Sequence, residues 1–248
     1  MKSMPTGVVL EKPGRNLDSL TQTAALESLK SSLIHEWKLR NAFKPVEEFG
    51  IRPTTMALFH GPPGNGKTMA SKMLASVINA PLYRVSCEGL LGQYLGDSEK
   101  NMRDVMEWLA EVGEAVVLFD ECESLFRRRG EKDGCSQSII RTMQVFWQAV
   151  DRWETPQMFL LATNRIQDID EALLSRCEIK LEFVGPTREQ ALLVLDYWAE
   201  TLHEHGAESW SPVLRKKIGR KTPESFRELW QSISSSVRQW IVQGGLDS

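Results

Sequence analysis

The sequence predicts a parallel α/β domain followed by a small helical domain. Three observations carry that expectation. Short apolar runs alternate with helix-period segments between about residues 55 and 183. Two of the runs, Ala115-Val116-Val117-Leu118-Phe119 and Met158-Phe159-Leu160-Leu161-Ala162-Thr163, are apolar throughout, as in strands covered on both faces. After Gly185-Pro186 no strong strand follows, only helices. The divisions expected are a short extension over 1–16, the α/β domain over 17–185 and the helical domain over 186–248.

Each element has its own signal. Residues 1–16 are Gly/Pro-punctuated and read as extended. Leu17 to about Phe43 has a helical period, with Leu20, Ala24, Leu29, Leu33, Trp37 and Leu39 as expected buried positions; Pro45 and the Gly50/Pro53 pair end it. Thr55–His60 reads as a short buried strand. Met69–Ile78 reads as a helix with Met69, Met73, Leu74 and Val77 on one face. Pro81–Val85 is a second strand, Asn101–Val112 a helix, and Ser136 to about Val150 another. Ile179–Phe183 alternates, as an edge or final strand does. Helices are then expected over Arg188–Leu202, near Pro212–Ile218, and over Pro223–Val242.

Composition narrows the class. The 248 residues are 42% hydrophobic, enough for a sizeable core and too many for a disordered chain. A net charge of −3 argues against coating DNA through bulk charge. The basic clusters Arg127-Arg128-Arg129 and Arg215-Lys216-Lys217 read as solvated surface. Cys87, Cys122, Cys135 and Cys177 form no C-x-x-C pair, which suggests reduced thiols and a cytoplasmic setting rather than a zinc site. No apolar run approaches 18 residues, so no membrane partner is expected, and no signal peptide is visible.

Between the first strand and its helix lies Gly61-Pro62-Pro63-Gly64-Asn65-Gly66-Lys67-Thr68, which fits G-x-x-x-x-G-K-[ST], the phosphate-binding loop or Walker A motif. Glycines allow a tight turn with N–H groups aimed inward at phosphate oxygens. Lys67 can reach the β- and γ-phosphates, and the Thr68 hydroxyl can ligate Mg²⁺. Met69 opens the helix whose positive dipole end lies beneath the phosphates, so the expected nucleotide-binding segment is Gly61 to Met69.

Asp120-Glu121 directly follows an apolar strand, the Walker B arrangement. Asp120 would help hold Mg²⁺ and Glu121 would polarise an attacking water as general base; the bland alternative is a helix N-cap region. Asn164 ends the next buried strand, where it can bond both water and γ-phosphate, or simply close a turn. Arg176 is a candidate arginine finger for a neighbouring subunit, or an exposed loop arginine. Arg227 could extend from the helical domain to the nucleotide; pairing with Glu224 or Glu228 is the competing reading.

In order and spacing these motifs resemble the AAA+ ATPases over roughly residues 20–245. Gly61–Thr68 looks like their Walker A, Val116–Glu121 their Walker B and Asn164 their sensor 1. Asp170–Cys177 looks like the end of their second region of homology. The resemblance implies a P-loop α/β domain, a helical lid, ATP and Mg²⁺ as ligands, and rings, usually hexamers, with ATP at subunit interfaces. Gly92–Asn101 resembles the central-pore loop of protein-remodelling members. Tyr94, Leu95 and Gly96 would form its aromatic-hydrophobic-glycine tripeptide, and a glycine-flanked Tyr can grip an extended polypeptide without reading its sequence. Arg127–Ser136 could form a second, polar pore loop. The Ser175-Arg176-Cys177 tripeptide looks more like clamp loaders, and Ser225–Leu229 like the sensor 2 helix of other branches.

Two functions follow as expectations. The first is a ring-forming ATPase that remodels a protein substrate through a central pore, chaperone-like. With only about 16 residues ahead of the first helix, substrate choice is expected in the pore, the surface or an adaptor protein. The alternative is a nucleic-acid-associated ATPase, clamp-loader-like or accessory to replication or transposition, favoured by Ser175–Cys177 and the basic clusters.

Overall fold

A computed structural model describes residues 3–12, 27–42, 54–92, 96–127, 137–151, 157–203 and 211–242. In chain order the strands are β1 (Val8–Glu11), β2 (Met56–His60), β3 (Leu82–Ser86), β4 (Val116–Asp120), β5 (Met158–Thr163) and β6 (Ile179–Glu182). The α-helices are α1 (Ile34–Ala42), α2 (Lys67–Val77), α3 (Cys87–Leu90), α4 (Asp97–Val112), α5 (Gln137–Asp151), α6 (Glu171–Arg176), α7 (Arg188–His203), α8 (Ser211–Arg220) and α9 (Phe226–Val242). A π-helical turn over Leu29–Leu33 leads into α1.

The strands form one sheet in the order β1-β3-β4-β5-β2-β6. All pairings are parallel except β1 with β3. A parallel pair needs a crossover, and the helices supply it, so both faces of the sheet are covered. Period-2 alternation divides the strand residues between two cores. Leu58, Val85, Val117, Phe119, Phe159 and Leu161 face α4 and α5, where Phe146 stacks edge-on against Phe119 and Phe126. Ala57, Phe59, Leu82, Leu118, Leu160 and Leu181 face α2, with Leu29, Leu33 and Trp37 joining them. Helices α7, α8 and α9 hold a separate core of Ala191, Leu195, Leu214, Ile218, Leu229 and Ile233.

The fold is the expected α/β sheet followed by helices, with four corrections of detail. Val8–Glu11 is a strand, not only extended chain; its exposed Val9 and Leu10 conceal the signal. On α2, Met69 and Val77 are exposed, and the buried side carries Ala70, Ser71, Met73, Leu74 and Ala75. The helix turns its small residues to the sheet, which lets its backbone lie close. Leu39 is 43% exposed, because the buried face of α1 is spent on Trp37 and the turn before it. Helix α4 starts at Asp97, four residues earlier than the sequence suggests, with Gly96 in a left-handed conformation (φ 92°) as its N-cap. Leu20 and Ala24 lie outside the described residues.

Candidate active site

Two structural facts assemble the site. The phosphate-loop motif joins β2 to the first turn of α2, and Asp120 ends β4 with Glu121 directly after it. In the sheet, β5 intervenes between those two strands, so Asn164 emerges between the two motifs. This is the carboxyl edge of a parallel sheet, where α/β folds place ligands.

Lys67 is buried, 8% exposed, and its ammonium spends three donors. They go to the Gly61 carbonyl at 2.6 Å, the Pro62 carbonyl at 3.1 Å and the Asn164 side-chain oxygen at 2.8 Å. Burial pulls its pKa below the usual lysine value; Glu123 and Asp120 oppose that, and Arg227 adds to it. None of the three bonded partners is an anion, so the charge is solvated but not neutralised at contact. A phosphate oxygen matches that demand.

The loop itself depends on glycine at two close approaches. Gly61 has φ 132°, and a Cβ there would run into the Phe183 carbonyl. Gly64 has φ 83°, and a Cβ would lie 2.9 Å from the Arg227 Cβ. The Gly64 carbonyl accepts the Arg227 backbone N–H at 3.0 Å. Asn65, 5% exposed, reaches both ways: its amide donates to the Phe183 carbonyl at 3.5 Å, and its oxygen accepts from the Phe226 N–H at 3.4 Å. Arg227 thus sits at the first turn of α9 directly over the phosphate loop. The carboxylate of Glu228 accepts the Glu224 N–H at 2.7 Å instead.

Glu121 adopts φ 54°, ψ 46°, a left-handed conformation uncommon outside glycine and held here against its strain. Its side chain lines a cleft of about 580 Å³ together with Glu88, Glu123, Arg127, Asn164 and Arg165. Burial raises its pKa, with Glu88, Asp120 and Glu123 adding to the rise and Arg84 opposing it. Glu123 escaped the sequence reading, although a third carboxylate two residues beyond Glu121 was a visible signal. One of its oxygens accepts the Asn164 N–H at 3.4 Å, and the other is buried without a hydrogen-bond partner among the described residues.

Arg176 ends α6, whose N-cap Asp170 accepts the Ala172 N–H at 2.8 Å. Its guanidinium donates to the Ala172 carbonyl at 3.3 Å and lies 4.5 Å from the centroid of the Trp147 ring on α5. Arg176 is not among the residues lining the cleft. Tyr94 and Leu95 lie outside the described residues, as do Arg128, Arg129 and Cys135. Cys87, Cys122 and Cys177 are buried free thiols; burial raises all three, Cys177 to about 12, so they are inert. No helix among the described residues is long and apolar enough to cross a membrane.

Residues 57–184, which span the site except for Phe226 and Arg227 of α9, match the model of the ATPase family associated with various cellular activities (AAA). The chain belongs to the AAA family. Spastin of Danio rerio is 32% identical over 173 residues, 68% of this chain and 30% of that protein. Spastin of Gallus gallus is 30% identical over 197 residues, 78% of this chain and 31% of that protein. A putative 26S proteasome regulatory subunit homolog of Methanothermobacter thermautotrophicus is 30% identical over 148 residues, 58% of this chain and 39% of that protein. The chain therefore spans about a third of the length of these relatives. Membership of the AAA family implies nucleotide binding with a divalent metal.

The residues also fit a divalent cation of the magnesium kind. Thr68 and Asp120 offer hard oxygen donors. The described residues hold no cluster of three or more His, Cys, Asp or Glu, and Mg²⁺, which keeps several waters and takes substrate phosphates, needs only one or two protein oxygens.

Proposed function

We propose that this chain hydrolyses ATP with Mg²⁺ in a ring, a hexamer by family habit, and uses the energy to remodel a protein substrate. The observation that carries the ATPase chemistry is the 2.8 Å bond from Lys67 to Asn164, which ties the loop motif to the strand beside Asp120-Glu121. Support for the protein substrate comes from the Gly92–Gly96 sequence and the protein-remodelling relatives.

The roles divide as follows. The N–H groups of Gly61–Met69 bind phosphates, and Lys67 exchanges its carbonyl partners for β- and γ-phosphate oxygens. Thr68 and Asp120 hold Mg²⁺, which supplies charge neutralisation on the phosphates when bound. Glu121 holds the attacking water and takes its proton as the water oxygen bonds to the γ-phosphorus and the bond to the β-bridging oxygen breaks, leaving ADP and phosphate. Its raised pKa suits a base. Asn164 orients that water, and Arg227 bonds the phosphates from the lid. Arg176 is supplied to the neighbouring subunit's γ-phosphate, which fits its position away from the cleft of its own chain. Tyr94, Leu95 and Gly96 grip the substrate, with an adaptor or another part of a longer protein choosing it, in the cytoplasm.

Electron microscopy of Glu121→Gln with ATP and a model unfolded protein tests this reading. Rings with polypeptide density at Tyr94 are expected. Monomers with ATP bound would reject it, as would, in an assay of the chain with Glu121 intact, DNA-stimulated hydrolysis that falls steeply with salt.

A further inference from the structure

Glu11 lies on β1, the antiparallel strand added at the edge of the sheet, outside the constellation described above. Its carboxylate meets two cations from two different elements. One oxygen pairs with Lys72 Nζ of α2 at 2.7 Å, and the other accepts from Arg84 Nε of β3 at 2.7 Å. Arg84 Nη1 in turn stands 3.9 Å from Asp120 Oδ2. The register explains the meeting. Leu82 and Leu118 face α2, so Arg84 and Asp120, two residues further along paired strands, emerge on that same face. The Glu11 side chain is 15% exposed and that of Asp120 is 24% exposed, so solvent screens these charges only in part. The Lys72 bond holds the Glu11 carboxyl below the usual range; burial opposes this and Arg84 supports it.

Asp120 is the carboxylate that must stay available to a divalent cation. A guanidinium beside it competes for the same oxygens and repels the cation. Glu11 takes the Nε side of the guanidinium fork, and the remaining Nη1 stays beyond hydrogen-bond distance of Asp120. We infer that Glu11 is a positioning residue for the ATPase: from β1 it holds Arg84 off Asp120 and so sets how much Mg²⁺ the site needs. This rests on the reading of Thr68 and Asp120 as the residues that hold the metal.

The test titrates Mg²⁺ into the full chain with a fluorescent ATP analogue and reads binding by anisotropy. Glu11→Gln frees Arg84 to pair with Asp120 alone, and the half-saturating Mg²⁺ should rise about two- to fivefold, the scale of a partly screened ion pair. Glu11→Gln combined with Arg84→Gln should return it to the wild-type value or below, because the competitor is gone. A purely structural role for Glu11 lowers the melting temperature and is not rescued by the second change. An unchanged half-saturation in Glu11→Gln, or a double variant no better than the single one, overturns the inference. If Glu11→Gln does not fold, Arg84→Gln alone decides: a value at or below wild type supports the inference, and a higher one rejects it. Asp120→Ala separates the two readings. If it keeps the full Mg²⁺ response, the metal site lies elsewhere and both fall. If it loses the response while Glu11→Gln changes nothing, only the inference falls.

Discussion

The Lys67 ammonium and the Asn164 side-chain oxygen are 2.8 Å apart, although 97 residues separate them in the chain. Asn164 is held from the other side by Glu123, which accepts its backbone N–H. Asn164→Ala should remove the orienting amide while the loop still binds phosphate. Turnover is expected to fall about 10²–10³-fold, the cost of losing one polar group aimed at the transition state, with nucleotide affinity changed only a few-fold. Steady-state kinetics alongside equilibrium nucleotide binding would show it; a parallel loss of affinity would mean that Asn164 serves the loop and not the reaction.

Trp147 and Arg176 make the second prediction. A cation over an indole face at a partly exposed site is worth about 0.5–1 kcal/mol. Trp147→Leu should therefore slow ATP turnover by about two- to fivefold while leaving affinity alone. Arg176→Ala should slow it by about 10³-fold or more. Mixing Arg176→Ala with Glu121→Gln subunits checks the trans assignment, since a mixed ring regains interfaces in which an intact finger meets an intact base. Absence of any recovery would place the finger elsewhere.

At Gly64 the backbone and the lid meet. Gly64→Ala places a methyl group 2.9 Å from the Arg227 Cβ at a positive φ. A loss of about 1–3 kcal/mol of stability is expected from strain at such a site. The bond from the Arg227 N–H would lengthen, so hydrogen exchange at the first turn of α9 should accelerate. An unchanged exchange rate there would show that the two segments are not coupled.

His60 predicts a pH effect. Burial lowers its pKa from 6.5; Glu182 opposes that and Lys67 adds to it. The folded state thus binds this proton less readily than the unfolded chain. Its full stability is present above the unfolded value and declines as pH falls below it. Melting curves of His60→Gln and wild type should therefore draw apart in favour of the variant between about pH 7.5 and 5.5. A constant difference across that range would rule the effect out.

Much of the candidate site was legible because its residues carry local sequence patterns. Gly61–Thr68 and Asp120-Glu121 each carry a local pattern, and each strand beneath them is a continuous apolar run. What no local pattern shows is strand order. That β5 stands between β2 and β4, and so delivers Asn164 to Lys67, is a property of the assembled sheet. The buried side of α2 was misjudged for a related reason: hydrophobic size pointed to Met69 and Val77, but close packing on the sheet selected Ala70, Ser71 and Ala75. Glu11, Arg84 and Trp147 gave no signal, since their meaning lies in partners from other elements.

The small residues beneath α2 have a mechanical consequence. The phosphate loop lies at one end of that helix, and Ala70, Ser71 and Ala75 on its underside are buried. One extra methyl group at Ala75, far along the helix and touching no ligand, would tilt the whole rod. Lys67, at the first position of the same helix, would move with it. Volume under this helix is therefore an adjustment of catalytic alignment, made at positions that perform no chemistry.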